Sequence, residues 1–123
     1  MQESVRWIPI YTSVRTVAGF LGYPYLFNTK GEWIGFVTPD GAVYSVEGKY
    51  AGFLDPDPRF ARILRHVATA HLHPPVEPPT PPAFAPKTTW TVPLPPPPPK
   101  LPAGTVDVLA SQPQLLPPYK EGG

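Results

Sequence analysis

Apolar and polar positions repeat three times in the first half of the chain. The stretches 10–21, 26–37 and 43–54 align without a gap. Each begins with an aliphatic and an aromatic residue and ends near a Gly-Phe pair, and the glycines Gly19, Gly35 and Gly52 follow one another at intervals of 16 and 17 residues. A fixed period with one unit per period is typical of a repeat architecture.

Each repeat predicts a β-hairpin. Lys30-Gly31 and Glu47-Gly48 are turn signals, because glycine adopts positive φ without steric cost. The period holds two strands of about five residues with their turns, and is too short for a βαβ unit, so we expect an antiparallel sheet. The predicted strands cover residues 5–13, 15–21, 25–28, 33–38, 42–46 and 49–54. A glycine repeated inside strands predicts bends or close approach of another backbone.

A different pattern follows the sixth strand. Asp57 is a good N-cap and Pro58 a good first helical residue. The next apolar positions have helical spacing: Phe60, Ile63, Leu64, Val67 and His71. We therefore predict one amphipathic helix over about 58–71 that covers the open face of an all-β, barrel-like meander of hairpins.

The composition changes sharply after residue 73. Residues 74–118 contain 17 of the 22 prolines, and Pro95–Pro99 is an unbroken run. Such a segment cannot form a helix or a central strand, and its intrinsic state is extended polyproline II. The sequence predicts a module over residues 1–73 and, over 74–123, an extended arm with no independent fold.

The arm also carries apolar residues that a plain spacer does not need. The expected partner-binding residues are Phe84, Trp90, Val92, Leu94, Leu101, Val106, Leu109, Leu115 and Tyr119. Aromatic anchors dominate interface energetics, so the arm predicts docking along protein partners in a larger assembly. A passive linker and a tail folded back on its own module are the alternatives. The run Pro95–Lys100 also fits the PxxP-plus-base pattern of SH3-type grooves, although this match is weak.

The repeated stretches resemble the bacterial β-flower family, in particular its four-fold form, over about residues 5–55. The resemblance implies hairpin petals around a shallow, symmetrical barrel. Only three units are visible, whereas the four-fold form needs four, and the sequence leaves open how a fourth is supplied. Through the likeness of that fold to lipid-binding Tubby-type barrels, the resemblance also implies a hydrophobic ligand, and it transfers no functional residues.

Lipid or another apolar ligand is the alternative function. It would occupy a barrel interior lined by Phe20, Phe36 and Phe53. The basic residues Arg59, Arg62 and Arg65 would lie near the mouth and contact phosphate, for example of a lipid headgroup.

The remaining composition narrows the function classes. A net charge of +1 gives no global field for nucleic acid. The chain has no cysteine, and no motif for a catalytic nucleophile or a phosphate loop is present. We expect neither an enzyme nor a cofactor. We also expect no metal site, since the spacing of His66, His71 and His73 does not suit metal ligands. We also expect a cytoplasmic protein with no membrane span, with peripheral lipid contact and homo-oligomers left open.

Overall fold

The computed structural model describes residues 6–55, 57, 60–87 and 91–120. Within these residues, eight strands form one antiparallel sheet in which each strand pairs with its neighbour in the chain. The strands are β1 Trp7–Tyr11, β2 Val17–Gly22, β3 Tyr25–Asn28, β4 Trp33–Val37, β5 Ala42–Ser45, β6 Tyr50–Leu54, β7 Ile63–His66 and β8 Thr105–Asp107. The six predicted strands are all present, and the all-β, barrel-like fold class is confirmed.

The sheet consists of four hairpins with one shared register. An aliphatic residue of the first strand faces a glycine of the second in three of them: Ile10 with Gly19, Leu26 with Gly35, and Val43 with Gly52. In the fourth hairpin, β7–β8, Leu64 faces Asp107 at this position. The fourth petal is therefore present, and Asp107 takes the place of its glycine.

The three strand glycines allow the sheet to curl. A Cβ at Gly19, Gly35 or Gly52 would lie 2.1–2.3 Å from a carbonyl oxygen in the first strand of the next hairpin. No side chain fits at that distance, so only glycine permits this approach. The first strands of these hairpins also carry register shifts at the aliphatic-aromatic pair, and such bulges bend a strand. The expected bends are confirmed.

The core contains residues from both halves of the chain. Its buried cluster comprises Ile10, Leu21, Leu26, Ile34, Val37, Val43, Ala51, Ile63, Val108 and Leu116. The last two come from the segment predicted to be a separate arm. Val108 belongs to the short helix α1, Val108–Ser111, and Leu116 follows a 3₁₀ helix, Pro113–Leu115.

The helix predicted over 58–71 is wrong where the structure describes it. Residues 63–66 form strand β7, and Ala70–Leu72 is a 3₁₀ helix, while residues 58 and 59 lie outside the described part. The apolar spacing fits either element, and tertiary pairing decides, as it often does against local propensity. As strand β7, this stretch supplies the second backbone partner of β6.

The domain boundary predicted at residue 73 is also wrong. Thr105, Val106 and Asp107 pair with β7, and α1 and Leu116 fill the core. The eighth strand therefore lies within the segment predicted to be an extended arm. So do Val108 and Leu116, here called the core plug. Folding back on its own module, one of the alternatives above, describes most of this segment.

Candidate functional site

Residues 74–87 and 91–104, here called the proline belt, pass around the barrel in the reverse order of its hairpins. The Val76 amide donates to the Gly48 carbonyl in the β5–β6 turn at 2.9 Å. The Tyr25 hydroxyl of β3 then donates to the Thr80 carbonyl at 2.8 Å. Further on, the belt reaches β1 and the β1–β2 turn before it enters β8. Its described part is thus tied to the wall of the barrel at successive points.

Phe84 anchors the middle of the belt. Its ring lies 5.6–6.0 Å from the rings of Trp7, Tyr25 and Phe27, in edge or tilted geometry. Aromatic pairs at such distances contribute beyond their buried area. Phe84 is therefore an intramolecular anchor.

Residues 92–101, here called the proline run, are held through their carbonyl oxygens by three side chains. Tyr11 donates its hydroxyl to Pro93 at 3.2 Å, and the Arg15 guanidinium donates twice to Pro95, at 2.6 and 3.2 Å. Arg62 donates through Nη2 to Pro99 at 2.9 Å. A polyproline II segment has no internal hydrogen bonds, so its carbonyls are available to such donors.

Exposure along the run has a period of three. Every third position is buried or half-buried, and we call this the inner face: Val92, Pro95, Pro98 and Leu101. The positions between them are exposed and form the outer face: Pro93, Leu94, Pro96, Pro97, Pro99 and Lys100. Polyproline II has three residues per turn, so the side chains of one ridge pack on the module and those of the other two ridges face solvent. Leu94 is 72% exposed.

Arg15 occupies a backbone position that the other repeats give to glycine. Its φ is 67°, while the equivalent Gly31 and Gly48 have φ of 79° and 83°. A left-handed conformation costs a non-glycine residue about 1–2 kcal/mol. The two hydrogen bonds to Pro95 offset that cost, which connects the exception in the repeat to the position of the proline run.

A buried polar network closes the barrel between its first and last hairpins. Arg62, 1% exposed, bonds to the Asp55 carboxylate and to the Ser13 hydroxyl, both at 2.8 Å. The Ser13 hydroxyl and amide in turn donate to Asp107 at 2.7 and 2.6 Å. Asp107 also caps α1 by accepting from the Ala110 amide at 3.3 Å. This network could not be predicted from the sequence, because its members lie far apart in the chain.

Most predicted partner-binding residues contact their own module. Phe84 is described above, Val106 lies in β8, and Leu109 and Leu115 pack on the core. The Tyr119 ring lies 5.0 Å from that of Trp33, although the side chain is 41% exposed. Leu101 and Val92 belong to the inner face, and Trp90 lies outside the described residues. Of the described members of the predicted set, Leu94 is the most exposed.

The residues predicted for an apolar ligand do not line the interior. A Cβ at Gly35 would lie 3.1 Å from Leu116, and one at Gly52 would lie 3.4 Å from Val108. Successive strand residues point to opposite faces, so Phe36 and Phe53 point away from the core plug. Phe36 stacks on Tyr44, and Phe53 stacks on His66. Phe20 instead lines an outer cleft, described below.

The predicted basic face is not formed either. The Arg62 side chain is buried in the closure network, so it is not available to phosphate. Arg65 donates to the Tyr50 and Ala51 carbonyls, each at 3.1 Å. Arg59 lies outside the described residues.

One apolar cleft lies beside the proline run. It has a volume of about 240 Å³ and is lined by Trp7, Pro9, Phe20, Thr91, Val92 and Pro93.

Burial raises the pKa of the Tyr11 hydroxyl, which donates to the Pro93 carbonyl. Burial also raises the pKa of Tyr50, whose ring stacks on His73.

Two further features are absent from the described residues. No cluster of three or more histidine, aspartate or glutamate side chains able to hold a metal ion occurs among them. No helix in this part of the chain has the length and apolar character needed to cross a membrane.

A curled antiparallel sheet of four hairpins, with a bend at a strand glycine in three, defines a small β-barrel protein built from repeats. The sequence model of the family described as "4-fold beta flower protein" matches residues 8–114. The chain therefore belongs to this family, and the predicted resemblance is confirmed over twice its expected length. The match includes β7 and β8, in agreement with a fourth hairpin. No curated protein and no solved structure matches the chain.

Proposed function

We propose that this protein is a non-catalytic interaction module, an accessory subunit that presents its proline run to a protein partner. The observation that carries the proposal is the position of Leu94. This large apolar side chain is 72% exposed, between residues whose carbonyls are held by Tyr11 and Arg15. The proposal keeps the partner-binding arm expected from sequence and narrows it to residues 93–100.

Binding energetics support a held segment. Ordering a flexible chain on binding costs free energy, and a segment fixed beforehand avoids part of that cost. The three donors to the Pro93, Pro95 and Pro99 carbonyls supply this fixation. Exposed apolar side chains on such a segment suit contact with another protein.

The test is a paired capture from cells that express the protein. One bait is the full chain, and the second carries Leu94→Ser, Pro96→Ser and Pro97→Ser. A control bait carries Val67→Ser and Leu72→Ser, which remove comparably exposed apolar residues elsewhere. All three baits are first checked for equal melting temperature. A partner captured by wild type and control but lost with the triple variant supports the proposal. Equal capture by all three, or no partner with any, contradicts it.

Binding of an apolar small molecule is the second candidate. It is supported by the cleft lined by Trp7, Pro9 and Phe20 rather than by the barrel interior, which side chains fill. The cleft's volume of about 240 Å³ lies below the range of about 300–1,000 Å³ usual for ligand pockets, so we place this function second. Lipid extracted from the purified full chain, analysed by mass spectrometry, would favour it.

A further inference from the structure

We infer that the outer face of residues 93–100 is a polyproline II ligand for a partner groove lined with aromatic rings and bearing a carboxylate, and that Arg15 preorganises it. This inference rests on the proposed function and names the chemistry of the partner.

The outer face has the arrangement that such grooves recognise. Its residues form three pairs, Pro93-Leu94, Pro96-Pro97 and Pro99-Lys100, each separated from the next by one inner-face residue. Aromatic-lined grooves bind polyproline II segments through ridges of this spacing. The side chains of the other two ridges are exposed, although the module holds the Pro93 and Pro99 carbonyls. A groove can therefore receive these side chains while the segment stays on the barrel.

Lys100 determines the charge that the groove needs. It is exposed at the end of the outer face, and its ammonium group offers three donors and no acceptor. A carboxylate beside the last aromatic pocket would complement it. Because the pairs before Lys100 are uncharged, this contact would also fix the direction in which the segment binds.

Arg15 links the module to the conformation of the ligand. It adopts the left-handed backbone that Gly31 and Gly48 adopt in the other repeats, and its guanidinium holds Pro95 through two hydrogen bonds. A non-glycine residue held in this conformation is the kind of departure from which a functional constraint is inferred. The constraint we assign is to keep the inner face, and Pro95 in particular, against the module.

The experiment uses purified domains of three kinds that bind polyproline II: an SH3 domain, a WW domain and an EVH1 domain. Each is titrated calorimetrically with the full chain and with a free peptide of residues 91–101. The matched variants in the full chain are Pro97→Ser on the outer face and Pro98→Ser on the inner face. Arg15→Gly removes the hydrogen bonds to Pro95 and leaves a residue suited to the turn.

We expect at least one domain to bind the full chain. Pro97→Ser should weaken binding about tenfold by removing a pocket contact, and Pro98→Ser should change it less than about twofold. The free peptide and the Arg15→Gly chain should each bind about threefold more weakly than wild type, because preorganisation is lost.

Four results would overturn the inference: no domain binds, the two proline variants weaken binding equally, the free peptide binds more tightly than the full chain, or Arg15→Gly has no effect. The first would leave the proposed function standing if the paired capture still identified a partner lost with the triple variant. Failure of that capture alone would instead contradict the proposed function.

Discussion

The Asp107 carboxylate accepts hydrogen bonds from both the amide and the hydroxyl of Ser13, at 2.6 and 2.7 Å. Asp107 lies in the last strand, and Ser13 lies in the turn after the first. In the other three hairpins the register position of Asp107 holds a glycine that approaches the next strand. Among the described residues no strand follows the fourth hairpin, and hydrogen bonds from a side chain connect it to the first hairpin instead.

Replacing Asp107 with the residue of the other repeats should therefore destabilise the protein. Asp107→Gly removes the bonds to Ser13 and the cap of α1, and we expect a loss of about 3 kcal/mol in the free energy of unfolding. Ser13→Ala keeps its amide bond to Asp107 and should lose about 1–2 kcal/mol. Urea denaturation measures both values. A stability for Asp107→Gly equal to wild type would show that the network does not close the barrel.

The strand glycines and the turn glycines should respond differently to alanine. Gly52→Ala places a Cβ 2.1 Å from the Leu64 carbonyl oxygen, and the backbone must move. We expect a loss of about 3 kcal/mol, at the upper end of the usual cost of overpacking. Gly104→Ala has open space around its Cβ and a φ of 78°, so only the left-handed backbone costs about 1–2 kcal/mol. Similar losses at the two sites, measured by thermal unfolding, would argue against close approach as the cause of the curl.

Phe84→Ala should lower the stability of the protein in the absence of any partner. The ring packs on Trp7, Tyr25 and Phe27 and is half-buried, so we expect a loss of about 2–3 kcal/mol, below the range for fully buried phenylalanine. Leu94→Ala, in the same belt, should change stability by less than about 0.5 kcal/mol, because its side chain is exposed. Urea denaturation of both variants measures these losses. A small loss for Phe84→Ala and a large loss for Leu94→Ala would show that Phe84, rather than Leu94, is available to partners.

Stability should fall at high pH through Tyr11. Burial raises its pKa above the ordinary value of 10.0, so the folded state holds the phenolic proton more tightly than the unfolded state does. The resulting stabilisation is fully present below the unfolded pKa and is lost as pH rises through the folded pKa. Ionised Tyr11 also cannot donate to Pro93. Tyr11→Phe should flatten the decline in melting temperature above pH 10.0, with the remaining slope due in part to Tyr50, whose pKa burial also raises. An unchanged slope would rule out this role for Tyr11.

The sequence predicts the first three hairpins because their Gly-Phe pairs and turn glycines recur in register. The fourth hairpin could not be predicted, since Asp107 stands at the position of the repeated strand glycine and residues 67–104 separate its two strands. The apolar spacing of Phe60, Ile63 and Leu64 fits a helix as well as a strand, and only pairing with β6 decides between them. The burial of Arg62 could not be predicted from its neighbours in the chain, because its partners Ser13 and Pro99 are distant in sequence.

The outer face of the proline run was equally hidden. Residues 93–99 identify an extended segment, but their sequence does not tell which of three ridges contacts the module. The donors Tyr11 and Arg15, some 80 positions earlier, determine that orientation. The sequence feature that pointed to this orientation was Arg15, which stands at the turn position that the other repeats give to glycine.

The most direct test of the account is the unfolding of a chain that ends at His73, compared with the full chain. The shortened chain keeps β1–β7 and lacks β8, α1 and the core plug Leu116. We predict no cooperative thermal transition for it, and recovery of the transition when residues 74–120 are added as a separate peptide. A cooperative transition at the full chain's temperature, without the peptide, would contradict a barrel that takes the second strand of its fourth petal and part of its core from the proline-rich half.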